Sequence, residues 1–103
     1  MSKSMIERRL VDVSERLKRL RAERAVTLEQ LGFLEEEADE ARLRSLVSET
    51  PLADADARET RRHADAMANH RATLERSIAD LELEQDRLLD QMASEADPAG
   101  TGR

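Results

Sequence analysis

The sequence predicts an all-α fold, an antiparallel two-helix coiled-coil hairpin, with self-association of two hairpins into a four-helix bundle as a further option. Three observations lead there. The 103 residues are 39% charged and 39% hydrophobic, with Phe33 as the lone aromatic side chain and no cysteine. That leaves too few large apolar groups for a layered core, and a composition rich in Ala, Glu, Arg and Leu belongs to long helices. Apolar residues then recur in alternating steps of four and three through Ile6, Leu10, Val13, Leu17 and Leu20, the a/d rhythm of a heptad. Finally, the chain mirrors itself about Glu49. Ile6, Leu10, Val13, Leu17, Leu20, Arg24, Leu28, Leu31, Leu34, Ala38, Ala41 and Leu46 match Met92, Leu88, Gln85, Leu81, Ile78, Leu74, His70, Met67, Ala64, Thr60, Ala57 and Leu52, each pair of numbers summing to 98. A constant sum is the arithmetic of two antiparallel helices sharing one seam.

Residues 1–3 are expected to be a disordered N-terminus, with the first helix over 4–48. Ser4 followed by Glu7 fits a capping box, in which hydroxyl and carboxylate each accept a backbone N–H left over at the helix start. From Arg24 to Leu28 the step is four after a preceding step of four, and His70, Leu74 and Ile78 repeat this in the second arm. Such an insertion reads as a stutter, which locally unwinds a coiled coil. Gly32 is an isolated glycine through which the helix is expected to continue, at a cost of roughly 1 kcal/mol relative to alanine. The turn is placed at 48–51: Thr50 is an N-cap candidate, and Pro51 suits the first position of a helix because its missing N–H is not needed there. The second helix is expected over 51–95 and a disordered tail over 96–103, where Pro98, Gly100 and Gly102 fall.

Charge supports the antiparallel pairing. The basic stretch Arg16, Lys18, Arg19 and Arg21 mirrors Asp80, Glu82 and Glu84, Glu23 falls near Arg76, and Glu36 and Glu37 oppose Arg62 and Arg61. Exposed pairs contribute about 0.2–1 kcal/mol each, so they select orientation more than they stabilise. The net charge is −6 and stacking aromatics are lacking, which argues against direct nucleic-acid binding. No apolar run reaches the roughly 18 residues of a membrane span, and no signal peptide opens the chain, so the expected address is the cytoplasm, with no membrane partner. Fifteen arginines against two lysines fit a GC-rich bacterial genome.

An enzyme is not expected: there is no glycine-rich phosphate loop and no nucleophile with a partnered base. His63 and His70, seven apart, and Glu35, the mirror of His63, fall short of the three or four convergent ligands that zinc requires. The run Glu35–Glu40 reads as a solvated face paired with Arg58, Arg61 and Arg62. No cofactor or metal is expected.

Two features point to a protein partner. Val26 and Phe33 lie off the seam and, with Ala22, form a second apolar stripe on the first helix, a docking face or the contact of a homodimer. The turn presents Glu49, Asp54 and Asp56, and acids in an opening helical turn also serve the helix dipole. A long hairpin with carboxylates at its tip resembles the coiled-coil arms of the DksA/TraR and Gre transcription factors. That resemblance implies entry into the secondary channel of bacterial RNA polymerase, with acidic tip residues near the catalytic magnesium. It covers the hairpin alone: Asp54-Ala55-Asp56-Ala57 is one residue shorter between its acids than the DksA-type tip. Ser48-Glu49 echoes a Gre tip, but Leu46 stands where that pattern has its first acid. The leading expectation is therefore a non-enzymatic scaffold or adaptor; the alternative is a transcription modulator offering an acidic tip to RNA polymerase.

Overall fold

A computed structural model describes residues 2–96, with the side chain of Ala96 excepted. Helix α1 runs Lys3–Ser48 and helix α2 runs Pro51–Ala96, antiparallel partners joined by Glu49 and Thr50. Each helix extends one residue beyond its expected outer end, into Lys3 and Ala96. Ser2, also expected to be disordered, caps α1, and the remainder of the expected disordered termini, Met1 and residues 97–103, lies outside the described residues.

The caps explain the helix limits. Ser2, not Ser4, starts α1: its Oγ accepts the Met5 N–H at 3.3 Å and its carbonyl accepts the Ile6 N–H at 3.0 Å. The capping box read at Ser4 and Glu7 is thus displaced, because an equally good hydroxyl is available two residues earlier. At the other end of α1 the Glu49 N–H donates to the Ser45 carbonyl at 3.0 Å, and Glu49 takes φ 52°. This is the αL helix terminator, filled here by a residue other than the usual glycine. Thr50 caps α2 as expected, its Oγ1 accepting the Ala53 N–H at 3.2 Å. Both helices therefore end where side-chain or backbone groups satisfy their exposed polar ends.

The chain divides into two compact units, Met1–Ala22 with Glu75–Arg103, and Glu23–Leu74. In the first, Ile6, Val13, Leu17, Ile78, Leu81 and Leu88 form a buried cluster, with Leu10, Leu20 and Met92 packed against it. Val13 faces the Gln85 level of the seam, where the Gln85 side-chain amide donates to Ser14 Oγ at 3.2 Å and keeps a half-buried polar group satisfied. In the second unit the buried residues are Thr27, Ala38, Ala41, Thr60, Ala64 and Leu74. Thr60 hides its hydroxyl by donating to the carbonyls of Asp56 and Ala57, at 2.9 and 3.1 Å.

Burial corrects the expected seam at four positions. Thr27 is buried to 3% exposure whereas Leu28 is 43% exposed, so the seam steps from Arg24 to Thr27 and no stutter occurs. Its mirror position is then Arg71, and His70 lies outside the seam, exposed. Near the turn, Leu46 and Leu52 are exposed, and half-buried Ser45 and Ala53 take their places. The reason is phase. A helix cannot rotate locally to bury one leucine without displacing every neighbour at three- and four-residue spacing, so the unbroken 3.5-residue period wins. With these replacements the steps of four and three run from Ile6 to Ser45 and from Ala53 to Met92, and the mirrored numbers still sum to 98.

Cross-helix ion pairs bracket that register. Arg9 meets Glu84 at 2.6 Å and Arg21 meets Glu82 at 2.9 Å in the first unit. Arg61 meets Glu35 at 2.7 Å and Arg44 meets Asp56 at 3.3 Å in the second. Their residue numbers sum to values on both sides of 98, as expected for long side chains reaching obliquely across an antiparallel seam. The Arg21–Glu82 pair is as expected, and Arg61 pairs within the acidic run expected to hold it, with Glu35 and not Glu37, because Glu35 flanks the seam on the same side.

Candidate partner-binding site

The predicted site residues all belong to the Glu23–Leu74 unit, where they occupy two places. Glu49, Asp54 and Asp56 surround the turn. Asp54 Oδ1 accepts the Ser45 hydroxyl at 2.6 Å, and Asp56 is ion-paired with Arg44, so both carboxylates are engaged across the hairpin. Glu49 is exposed and sits in the left-handed region that non-glycine residues adopt at a cost of roughly 1–2 kcal/mol. Around these acids stand Leu46, Val47 and Leu52, of which Val47 is 85% and Leu52 82% exposed. The tip thus carries apolar groups as well as charge.

Val26 and Phe33 lie two helical turns apart on α1, seven residues apart and hence on one face. Both are exposed, Phe33 to 66%. One turn before Val26, Glu23 approaches His70 Nε2 at 3.9 Å, which sets this face of α1 beside the His70 face of α2. There a shallow groove of about 380 Å³ is lined by Leu34, His63, Ala66, Met67 and His70. The lining is almost wholly apolar, with the histidines at its margin; His63 leans toward Glu59 on its own helix at 3.9 Å. Gly32, next to Phe33, has helical backbone and open space where a Cβ would stand, so no packing within the chain requires a glycine there.

Arginine pairing was harder to read from the sequence. Arg61 is held by Glu35 and, along its own helix, by Asp65 at 3.3 Å. The hydrogen bond to Glu35, aided by both carboxylates, pushes its guanidinium pKa above the ordinary arginine value. Arg61 Nε is shielded from solvent and lacks an aligned hydrogen bond despite its nearness to Asp65. Arg58 and Arg62, expected to pair with the acidic run of α1, make no ion pair among the described residues, and neither does Arg42. Charge spacing along a helix shows which partners are within reach but not which rotamers meet, and that signal was absent from the sequence.

Among the described residues no three or more His, Asp or Glu side chains gather to hold a metal ion, and no helix is long and apolar enough to cross a membrane. Comparison with protein-family models, with curated proteins and with solved structures returns no match to this chain.

Proposed function

We propose that this chain is a non-enzymatic helical scaffold or adaptor that binds a protein partner through its Glu23–Leu74 unit. One observation carries the reading: apart from Leu74, this unit fully buries only small side chains, and it exposes many of its large apolar ones. Ala38, Ala41, Ala64 and two threonines are inside, while Val26, Leu28, Phe33, Leu43, Leu46, Val47 and Leu52 are outside. Single exposed leucines are ordinary, but a concentration of them in one region marks an interaction surface. The exposed Val26 and Phe33, with Phe33 next in sequence to the groove-lining Leu34, form the part best suited to a helix, since an apolar side chain can enter the Leu34–Met67 groove. A second copy of the chain is one partner this face would accept, giving a four-helix bundle.

The test is a quantitative pull-down from native-host lysate with the wild-type chain, a Val26→Ser/Phe33→Ser variant and a Glu49→Gln/Asp54→Asn/Asp56→Asn variant. A partner lost with the first variant and retained with the second supports the face. Sedimentation of the purified chain distinguishes a self-partner, which would dissociate on the Val26→Ser/Phe33→Ser change.

Glu49 favours a second reading, in which the tip is offered to RNA polymerase as a transcription modulator. A carboxylate kept in a strained conformation where glycine would be easier is the kind of local cost found at functional positions. Against it, Asp54 and Asp56 already have partners within the hairpin. Enrichment of polymerase subunits that is abolished by the tip variant and unaffected by the face variant would put this reading first.

A further inference from the structure

On the flank of α1 and α2 away from Val26 and Phe33, the small seam of the Glu23–Leu74 unit leaves a groove of about 690 Å³. Ala38 and Ala57 form its floor, and Arg42, Arg58, Arg61 and Arg62 line it. Ala38 is buried and Ala57 half-buried, so the floor is apolar and shallow, a consequence of placing alanine where the other unit places leucine. Arg61 is fixed by Glu35 and Asp65. Arg42, Arg58 and Arg62 have no ion-pair partner among the described residues, so three guanidinium groups border one apolar trough with their donors unspent.

We infer that this groove binds an acidic, partly apolar peptide segment of a partner protein, with aliphatic side chains on the Ala38–Ala57 floor and carboxylates on Arg42, Arg58 and Arg62. Guanidinium forks match carboxylates in two-point geometry, and such charge-assisted bonds are the strong ones. The groove spans residues 38–45 of α1 and 54–62 of α2, about two helical turns on each side, the footprint of a short peptide and not of a single small anion. Two acids also line it. Among the described residues Asp39 makes no ion pair, and the Asp54 carboxylate accepts the Ser45 hydroxyl. They would repel a continuous run of phosphates, whereas a peptide can place its carboxylates against the arginines and leave gaps beside the aspartates. The apolar floor likewise offers nothing to a sugar–phosphate backbone. This site goes beyond the Val26–Phe33 face and does not depend on it.

The experiment is fluorescence anisotropy of the full chain with a labelled helical peptide whose Glu and Leu residues alternate at three- and four-residue spacing. Saturable binding is expected, weakened at least about tenfold by Arg58→Glu/Arg62→Glu. An Arg8→Glu/Arg87→Glu variant alters net charge equally outside this unit and is expected to bind as the wild type does. Circular dichroism checks that each variant stays helical, and Arg58→Gln/Arg62→Gln repeats the loss with a milder change. Absence of saturable binding, or equal weakening by both glutamate variants, overturns the proposal. So does displacement of the peptide by a single-stranded oligonucleotide more readily than by unlabelled peptide, which would make the groove a polyanion site. Loss of the pulled-down partner on changing Val26 and Phe33 is a separate readout, so the two surfaces can fail independently.

Discussion

The unit that carries both chain ends packs Ile6, Val13, Leu17, Ile78, Leu81 and Leu88 into its seam, whereas the unit around the turn packs mostly alanine and threonine. The heptad steps are the same, but the seam side chains of the second unit are smaller and more polar, with Arg24, Thr27, Ser45, Thr60 and Arg71 among them. A buried leucine or isoleucine contributes about 1.5–3 kcal/mol, and each methylene about 0.8, so the first seam supplies most of the cohesion per layer. What the second seam gives up in burial it returns as surface. Many of its large apolar side chains face outward, and its low alanine floor opens grooves on the flanks. Within one continuous pair of helices, stability and recognition are thus assigned to different stretches of the same repeat.

The comparison can be broken at its strong end first. Leu17 is fully buried, and Leu17→Ala is expected to destabilise the chain by about 2–5 kcal/mol, enough to lose most of the folded population of a small hairpin. Urea titration followed by circular dichroism reads this, and a loss below about 1 kcal/mol would show that the first seam is not the main source of stability. Ala64, also fully buried, tests the other seam in the opposite sense. Ala64→Leu should cost about 1–3 kcal/mol by forcing the helices apart. Should it stabilise instead, the alanine seam has spare room and its grooves are not a product of close packing.

Two smaller effects sharpen the contrast. Gly32→Ala is expected to raise stability by about 0.5–1 kcal/mol, since the added methyl meets nothing and helical propensity improves. A fall would mean that a neighbouring molecule occupies the space beside Gly32, which sedimentation would then reveal. The smallest effect belongs to the exposed Arg21–Glu82 pair, where Arg21→Gln should cost about 0.2–1 kcal/mol, less at high salt. A larger, salt-independent loss would show that charge, and not leucine packing, holds the first unit together.

Much of the fold was legible because helices and their register are periodic properties. Heptad spacing, the mirror about Glu49, Thr50-Pro51 at the turn and opposed charges at Arg21 and Glu82 all survive in the structure. Hydrophobicity competes with phase at Leu28, Leu46 and Leu52: their chemistry suits the seam, but position in the 3.5-residue cycle places Thr27, Ser45 and Ala53 there. Of the candidate site, Val26, Phe33 and Glu49 could be singled out as off-seam or turn residues. The arginine groove could not, because it depends on which guanidiniums find partners and on the depth left by Ala38 and Ala57.

By itself, then, the sequence determined two antiparallel helices, their turn and their register, since each follows from local caps and from a repeat that only one alignment satisfies. The tertiary structure alone decided which of two adjacent residues enters the seam, which charges neutralise one another, and where the surface remains open. Those outcomes depend on the shared phase of both helices and on competition among long side chains for the same partners, and neither is encoded at any single position.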